Sequence, residues 1–217
     1  NANLDKLRNY YLDRGYLRVE IKSSQAQISP DRKTVYITIV IVENDPYYIE
    51  KYEIQSSNLL VPREEIVKRI TLKPGETFSR QAVLDSEKAI SDYYGDQGYL
   101  FATINLRPQV NDKTHQVVIL FDITPGKRTY VHHVSFTDNT RTNDVVLRRE
   151  VTQMEAAPAS NKKLEDSKHR LLLLPYIKEA EMSVKPVPDT DDQVDVNYKL
   201  KEDTAAQASV KLGYSAM

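Results

Sequence analysis

Cysteine and tryptophan are absent from this chain of 217 residues, and glycine occurs only six times. Without cysteine the protein has no disulfide, no thiolate nucleophile and no cysteine-ligated zinc site. The absence leaves the cellular compartment open, because oxidising compartments permit disulfides without requiring them. The chemistry of the chain therefore has to come from its other residue types.

An excess of charge of one sign is also lacking, since 30 Lys and Arg residues stand against 31 Asp and Glu residues. Proteins that bind nucleic acid through its phosphates usually carry a basic surface, so no nucleic-acid partner is expected. No apolar run approaches the roughly 18 to 20 residues of a membrane-spanning helix, and no signal peptide is visible. Because the chain starts on a helical pattern without an initiator Met, we expect it to be a piece of a longer protein.

Catalytic and metal-binding motifs are missing as well. The sequence contains no G-x-S-x-G, no P-loop and no G-x-G-x-x-G. His132 and His133 are adjacent in a predicted strand, where neighbouring side chains point to opposite faces, so they are not expected to share a metal. Asp189, Asp191 and Asp192 lack the glycine and distal glutamate of a calcium loop. We therefore expect no enzyme, no cofactor and no metal.

A tyrosine-rich segment is present twice, as YYLDRGY at residues 10–16 and as YYGDQGY at residues 93–99. Each copy ends an amphipathic helical pattern. Its glycine suits the left-handed conformation that often follows a helix, and its last tyrosine suits the contact that folds back onto the final turn. We interpret the segment as a helix terminator. A third copy has diverged, because Pro175-Tyr176 replaces the glycine and tyrosine.

Strands of alternating polarity recur with a similar period, at residues 35–41, 117–123 and 194–200. Between them the pattern indicates strand, helix, helix, strand, strand. The first complete unit has a strand at 48–55, helices opened by Pro62 and Ser79, and strands at 100–110 and 116–123. The next has a strand at 130–137, helices at about 143–154 and 160–174, and strands at 180–185 and 194–200. The fold class is therefore α+β, with small modules in tandem.

The β-α-α-β-β order, YYLDRGY, the VLRREVTQME run at 146–155 and the QVDVNYKLKE run at 193–202 resemble the polypeptide-transport-associated (POTRA) domains of the Omp85 family. The resemblance implies modules that are each a three-stranded mixed sheet covered by two helices. It divides the chain into the second half of a module at 1–47, a complete module at 48–126, a final module at 127–203, and the start of a transmembrane barrel strand at 204–217. Two turns depart from the family's Gly-Asn, as Ser57-Asn58 and Asp138-Asn139.

The last residues alternate strictly between apolar and polar side chains. The apolar positions are Ala206, Ala208, Val210, Leu212 and Tyr214. A strand of a transmembrane barrel has this pattern, and so does an amphipathic strand of a soluble sheet. The resemblance favours the barrel strand.

The family resemblance also implies a function and a location. It implies a periplasm-facing region of an outer-membrane protein that binds unfolded outer-membrane β-barrel proteins, docks lipoproteins of the assembly machinery and feeds the attached barrel. Periplasmic chaperones are further candidate partners. An open sheet edge can take up an extended segment as an added strand through backbone hydrogen bonds, which suits varied clients.

Candidate site residues follow from the same resemblance, which places the strand after each second helix at a sheet edge, here at 17–23, 100–106 and 180–185. The candidate client-binding residues are Leu17, Val19, Ile21, Phe101, Ala102, Thr103, Ile104 and Leu106. The candidate lipoprotein-docking residues are Arg148, Arg149 and Glu155, on the first helix of the last module.

Two other functions fit the pattern. The POTRA region of an autotransporter-assembly or two-partner-secretion transporter would share the fold, and the number of modules upstream of Asn1 would discriminate. An enzyme on an α+β scaffold would need a cleft with convergent polar groups, which the sequence does not indicate.

Overall fold

Three separate β-sheets, flanked by helices, make up the computed structural model, which describes residues 2–30 and 32–203. The described elements are, in chain order, α1 (Ala2–Leu12), β1 (Glu20–Ile28), β2 (Val35–Val42), β3 (Tyr48–Gln55), α2 (Arg63–Val67), α3 (Arg80–Asp96), β4 (Thr103–Asn111), β5 (Gln116–Thr124), β6 (Tyr130–Thr137), α4 (Asp144–Arg148), α5 (Asn161–Leu172), β7 (Ile177–Pro186) and β8 (Gln193–Glu202). The predicted strand at 204–217 lies outside the described residues.

The two three-stranded sheets share one topology. Their strand orders are β3-β5-β4 and β6-β8-β7, so the last strand of each unit lies in the centre. The central strand pairs parallel with the first strand and antiparallel with the remaining one. The β1 and β2 strands form an antiparallel pair of their own. The predicted α+β class, with mixed three-stranded sheets in β-α-α-β-β order, is confirmed.

The chain divides into two compact units. The first holds the described residues up to Ser91 and Ala102–Pro125, and the second holds Asp92–Phe101 and the described residues from Gly126 onward. The last turn of α3, with the segment after it, is thus grouped with the sheet that follows. The predicted module boundaries at 48–126 and 127–203 stay a proposal about the repeat.

The core of the second unit is built on β8. Strict alternation along this strand buries Val194, Val196, Tyr198 and Leu200. Burial raises the pKa of Tyr198 to about 12, and its hydroxyl donates to the backbone oxygen of Leu164 at 3.0 Å. Each fully buried aliphatic or aromatic side chain of this kind contributes about 1.5 to 3 kcal/mol through the hydrophobic effect. The helix pair therefore covers one face of the sheet.

A buried serine joins the two helical segments in both complete repeats. In the first, Ser86 Oγ accepts from the Thr71 backbone N–H at 3.1 Å and donates to the Ala82 oxygen at 2.7 Å. In the second, Ser167 Oγ accepts from the Thr152 N–H at 2.9 Å and donates to the Lys163 oxygen. Both serines are fully buried, so each satisfies a backbone donor that would otherwise be costly to bury.

The first helix of the last repeat is shorter than predicted, because α4 ends at Arg148 rather than near residue 154. Beyond Arg149 the chain turns. The N–H of Thr152 bonds to Ser167 of α5 instead of continuing the helical ladder. A tertiary hydrogen bond therefore overrides the local helical pattern.

Two predicted strands begin three residues later than expected. After the first terminator, turn hydrogen bonds join Leu17 N–H to the Gly15 oxygen and Val19 N–H to the Tyr16 oxygen, so β1 starts only at Glu20. After the second terminator, residues 100–102 form the corresponding turn, and β4 starts at Thr103. These residues form the turn that brings the chain back from the helix, so strand pairing begins only after them.

Candidate functional site

Among the described residues the β4 strand pairs only with β5, so it is an outer strand of its sheet. Thr103, Ile104 and Leu106 lie on it, whereas Phe101 and Ala102 lie in the turn that precedes it. Ile104 is buried and Leu106 is half-buried, so their side chains belong to the protein's own core. What this edge can offer to an added strand is its backbone.

Pro108 indicates which β4 residues direct their backbone groups outward. Proline has no N–H and is found in sheets where that group would face away from the neighbouring strand. It sits opposite Ile119 of β5, in the same alternation as Ile104 and Leu106. In an antiparallel pair, alternate residues turn both N–H and C=O away from the partner. We therefore assign the outward backbone groups to Ile104 and Leu106.

The other two candidate edges have similar positions. Ile21 lies on β1, which pairs only with β2, whereas Leu17 and the buried Val19 precede that strand. The β7 strand is an outer strand of the last sheet, and Pro186 ends it in the same alternation as Ala180 and Val184. Each strand that follows a second helix therefore lies at an edge.

Leu17 and Leu106 meet in an apolar cleft of about 290 Å³ in the first unit. Leu12, Phe78 and Val83 line it with them. The cleft thus joins one predicted residue that precedes β1 to another on the outer strand β4.

The predicted docking residues Arg148 and Glu155 meet at β6. Glu155 Oε1 accepts a hydrogen bond from the Val134 backbone N–H at 2.8 Å, and Arg148 Nη2 donates to the Val134 oxygen at 2.8 Å. Arg148 Nη1 donates to Glu155 Oε1 at 3.3 Å. Glu155 lies in a turn and not on the predicted helix. Arg149, at the end of α4, is exposed and takes no part in these bonds.

The electrostatics of Glu155 follow from this arrangement. The hydrogen bond from Val134 N–H, the bond from Arg148 and the proximity of His133 hold the pKa of Glu155 below its usual range. His133 Nδ1 lies 3.0 Å from Glu155 Oε1. Because the anion is favoured, Glu155 is a stable acceptor for the Val134 N–H at neutral pH.

The prediction that His132 and His133 point to opposite faces is wrong. The pairing of β6 with β8 shifts between Val131 and His133, and this bulge places two exposed histidines between the buried Val131 and Val134. A bulge adds one residue and interrupts the alternation of a regular strand. His132 pairs with Asp195 at 2.8 Å instead.

A carboxylate that the sequence did not single out holds the loop after β6. Glu202 accepts hydrogen bonds from the N–H of Thr142 at 2.8 Å, the N–H of Arg141 at 2.9 Å and the hydroxyl of Thr140 at 3.0 Å. Hydrogen bonds from Thr142, Arg141 and Thr140 lower the pKa of Glu202 to about 2. The only sequence signal was the end of the QVDVNYKLKE run.

The two tyrosine-rich segments have the geometry of helix terminators. Gly15 and Gly98 have φ of +88° and +99°. The N–H of Tyr16 bonds to the Tyr11 oxygen at 3.1 Å, and the N–H of Tyr99 bonds to the Tyr94 oxygen at 2.9 Å. These are the hydrogen bonds of a helix that ends on a left-handed residue.

Each terminator also bonds residues that lie further along the chain. The Gly15 oxygen accepts from Tyr47 N–H at 2.9 Å, and Asp13 Oδ1 accepts from the N–H of Gln81 in the first turn of α3 at 2.8 Å. In the second copy Gly98 and Asp96 do the same, at 2.7 Å for both bonds. Their donors are the N–H groups of Thr129 and Lys162. The aspartate and glycine of the segment are therefore docking groups, a role that the sequence pattern did not reveal.

Neither a metal site nor a membrane-spanning helix is found in residues 2–30 and 32–203. No group of three or more His, Asp or Glu side chains there is placed to hold a metal ion. No helix in these ranges is long and apolar enough to cross a membrane.

Tandem β-α-α-β-β repeats with outer strands at each sheet define a modular α+β protein. The POTRA family, described as surface antigen variable number repeat, matches residues 1–44, 47–126 and 129–203. The chain belongs to the POTRA family.

Curated relatives are similar over nearly the whole chain. The outer membrane protein assembly factor BamA of Neisseria meningitidis is 31% identical over 212 residues, which are 98% of this chain and 27% of that protein. BamA of Buchnera aphidicola is 29% identical over 99% of this chain and 34% of its own length. The chain spans about a quarter to a third of these relatives.

Solved structures agree with the sequence matches. The structure of Haemophilus influenzae BamA POTRA3-5 has a TM-score of 0.82 at 30% identity, over 93% of this chain and 79% of that one. BamA from Haemophilus ducreyi lacking POTRA domains 1-3 has a TM-score of 0.65 at 34% identity, over 72% and 30%. The predicted family and the outer-membrane location, with this region on the periplasmic side, are confirmed.

Proposed function

We propose that this chain is the periplasmic scaffold of an outer-membrane β-barrel assembly factor, and that it receives unfolded barrel proteins before their insertion by an attached barrel. Support comes from the relatives, which are named as outer membrane protein assembly factors. A scaffold rather than an enzyme agrees with this family. The binding is non-covalent and needs neither cofactor nor nucleotide.

The proposed binding mode is strand addition at β4 and at the corresponding outer strands β1 and β7. The observation that carries it is that, within residues 2–30 and 32–203, β4 pairs on one side only, over nine residues. Its outward N–H and C=O groups at Ile104 and Leu106 would bond an extended client. Backbone bonding makes few demands on client sequence, so one edge can serve many barrel strands.

Leu106 allows a matched test of this mode. Leu106→Pro removes an outward N–H, as Pro108 already does two residues later, whereas Leu106→Ala truncates the side chain and keeps the N–H. With a photo-reactive residue at the exposed Asn105, cross-linking of an unfolded barrel protein should fall several-fold in Leu106→Pro. Leu106→Ala should cross-link like the parent chain. Equal cross-linking in both variants would contradict strand addition at β4.

Ile104→Pro should lower cross-linking in the same way as Leu106→Pro. Because Ile104 is buried, Ile104→Ala is needed as the control for loss of its side chain.

Lipoprotein docking is proposed at Arg148, Arg149 and Glu155. Support comes from the exposure of Arg149 and of Met154, which directly precedes Glu155 and is 75% exposed. Because Arg148 and Glu155 also bond Val134, Arg149 is the cleaner residue to change. Arg149→Glu should weaken capture of an assembly lipoprotein while leaving thermal unfolding unchanged. Full capture by this variant would remove Arg149 from the proposed site.

We also propose that residues 1–47 are the second half of a module. The central strands β5 and β8 pair on both sides, whereas β2 pairs only with β1. Val35 and Ile37 of β2 are 57% and 67% exposed. A first strand parallel to β2, with its helix, would cover them as the complete repeats are covered. Lower exchange of the β2 amides in a chain extended at its N-terminus would support this.

A further inference from the structure

The β6 strand is the second outer strand of the last sheet, and side chains occupy its outward edge. Val134 N–H donates to Glu155 Oε1 and Val134 C=O accepts from Arg148 Nη2, both at 2.8 Å. An added strand would bond this edge through the same N–H and C=O. One acidic and one basic side chain thus stand where the backbone of a neighbouring strand would lie.

The outward N–H and C=O of Val131, the residue before the bulge, are also bonded, in this case to the backbone of a turn. Val131 N–H donates to the Ala157 oxygen at 3.0 Å, and its C=O accepts from Ala156 N–H at 2.7 Å. The bulge between Val131 and His133 makes Val134 the next residue to face outward. The turn at residues 155–157 and the Arg148 side chain therefore cover β6 continuously from Val131 to Val134.

We propose that Arg148 and Glu155 close the β6 edge to strand addition, so that an extended polypeptide can join this sheet only at β7. The proposal rests on the proposed function for the identity of the client, while the closure itself rests on the four hydrogen bonds at Val131 and Val134. Edge strands with unpaired backbone groups are sites of unwanted pairing, and natural proteins cover or charge such edges. Closure of one edge gives the last sheet a single docking strand.

The corresponding edge of the other three-stranded sheet lacks these side chains. Ile49 of β3 bonds Glu76 and Gly75 through its N–H and C=O, at 2.8 and 2.7 Å, as Val131 bonds its own turn. The position that matches Val134 is Tyr52. Val67 and Pro74 stand where Arg148 and Glu155 would be, and neither has a side chain that can bond a backbone group. Further along the same edge, Arg63 Nη1 donates to the Ile54 oxygen of β3 at 3.5 Å. The cover of the residue that follows the bulge is therefore specific to the last sheet.

A variant that keeps a donor and an acceptor separates closure from general damage. The double variant Arg148→Ala, Glu155→Ala removes both covering groups, while Arg148→Lys, Glu155→Gln keeps a donor and an acceptor. The probe is a synthetic ten-residue peptide of alternating apolar and polar residues, the length of a barrel strand. Photo-reactive residues at the exposed Thr137 of β6 and Ser183 of β7 report labelling of each edge.

The parent chain and the conservative variant should be labelled at Ser183 and not at Thr137. The alanine variant should gain labelling at Thr137 by about tenfold, because two backbone hydrogen bonds become free to form with the peptide. The Val134 amide should exchange faster in the alanine variant alone. Labelling of Thr137 in the parent chain as strong as that of Ser183 would overturn the closure, and so would unchanged labelling at Thr137 in the alanine variant.

The two proposals fail in different ways. Labelling at Ser183 without any gain at Thr137 in the alanine variant defeats the closure and leaves strand addition standing. No labelling at either position in any variant defeats strand addition itself, and the closure with it. Circular dichroism of the alanine variant serves as the check on folding.

Discussion

The outer strands β3 and β6 have similar hydrogen bonds on their outward edges before the bulge and different ones after it. In both, the residue before the bulge bonds a short turn through both its backbone groups, Ile49 to Gly75 and Glu76, Val131 to Ala156 and Ala157. After the bulge, the last sheet covers its edge with Arg148 and Glu155, and the other sheet has Val67 and Pro74 at those places. The two edges thus differ in availability at the residue that follows the bulge, and two side chains make the difference there.

Transplanting the cover to β3 is the change expected to have the largest effect. Val67→Arg with Pro74→Glu should give Tyr52 the two partners that Val134 has. The Tyr52 amide should then exchange about tenfold more slowly, the effect of roughly one hydrogen bond that must open. Amide exchange followed by NMR measures this.

The matched control for the transplant is Val67→Leu with Pro74→Ala. It removes the same proline and adds no side chain that can bond a backbone group, so exchange at Tyr52 should not slow. Unchanged exchange at Tyr52 in the Arg and Glu variant would contradict the comparison. It would show that an Arg and a Glu at these two positions are not sufficient to cover the edge.

The turns that cover the two edges have different residues at their position of positive φ, and swapping that residue should have a smaller effect. Gly75 has φ of +84° and Ala156 has φ of +59°, a region that costs an alanine about 1 to 2 kcal/mol. Gly75→Ala should lower the stability of the first unit by about 1 kcal/mol, and Ala156→Gly should raise that of the second by about 0.5 to 1 kcal/mol. Nothing lies within 4 Å of a Cβ at Gly75, so the cost there is conformational.

Urea titrations measure the turn swap when a buried amide reports each unit. Ile90 reports the first unit and Leu164 the second, and both are fully buried. Effects of the same sign in the two variants would show that the turns are not equivalent.

The smallest expected effect is the pH dependence of the cover. The pKa of Glu155 is lowered in the folded state, so its contribution is fully present above the unfolded value of about 4.3 and is lost as pH falls through the folded value. The stability difference between the parent chain and Glu155→Gln should be constant above about pH 5 and shrink below about pH 4. Arg148 and His133 both face Glu155.

Glu202 serves as an internal reference for the acid titration. Its pKa of about 2 means that its contribution persists to lower pH than that of an ordinary carboxylate, in the parent chain and in Glu155→Gln alike. A stability difference that grew on acidification would contradict the anionic role of Glu155.

The order of elements could be predicted because it depends mainly on local sequence patterns. Alternation along β5 and β8 and the stop at Gly15 and Gly98 are short-range patterns. Together with the period of the repeat, they were enough to indicate the order of the elements. Family resemblance then placed the strands that follow the second helices at the edges.

The features that could not be predicted depend on distant residues. The early end of α4 follows from Thr152 bonding Ser167, fifteen residues away, and β4 begins at Thr103, where pairing with Thr124 of β5 begins. The bond from Glu155 to Val134 links positions that are 21 residues apart, and the bulge at His133 depends on the pairing of β6 with Asp195 of β8. No local periodicity carries such information. The sequence therefore placed Glu155 on a helix and did not indicate its bond to Val134.

The most direct test of strand addition compares amide exchange with and without the alternating ten-residue peptide. The account predicts that the peptide slows exchange at Ile104 and Leu106 of β4 and at Ala180 and Val184 of β7, while Val134 of β6, already bonded to Glu155, does not change. Slowing at Val134 equal to that at Leu106, or no slowing on β4 and β7, would contradict it.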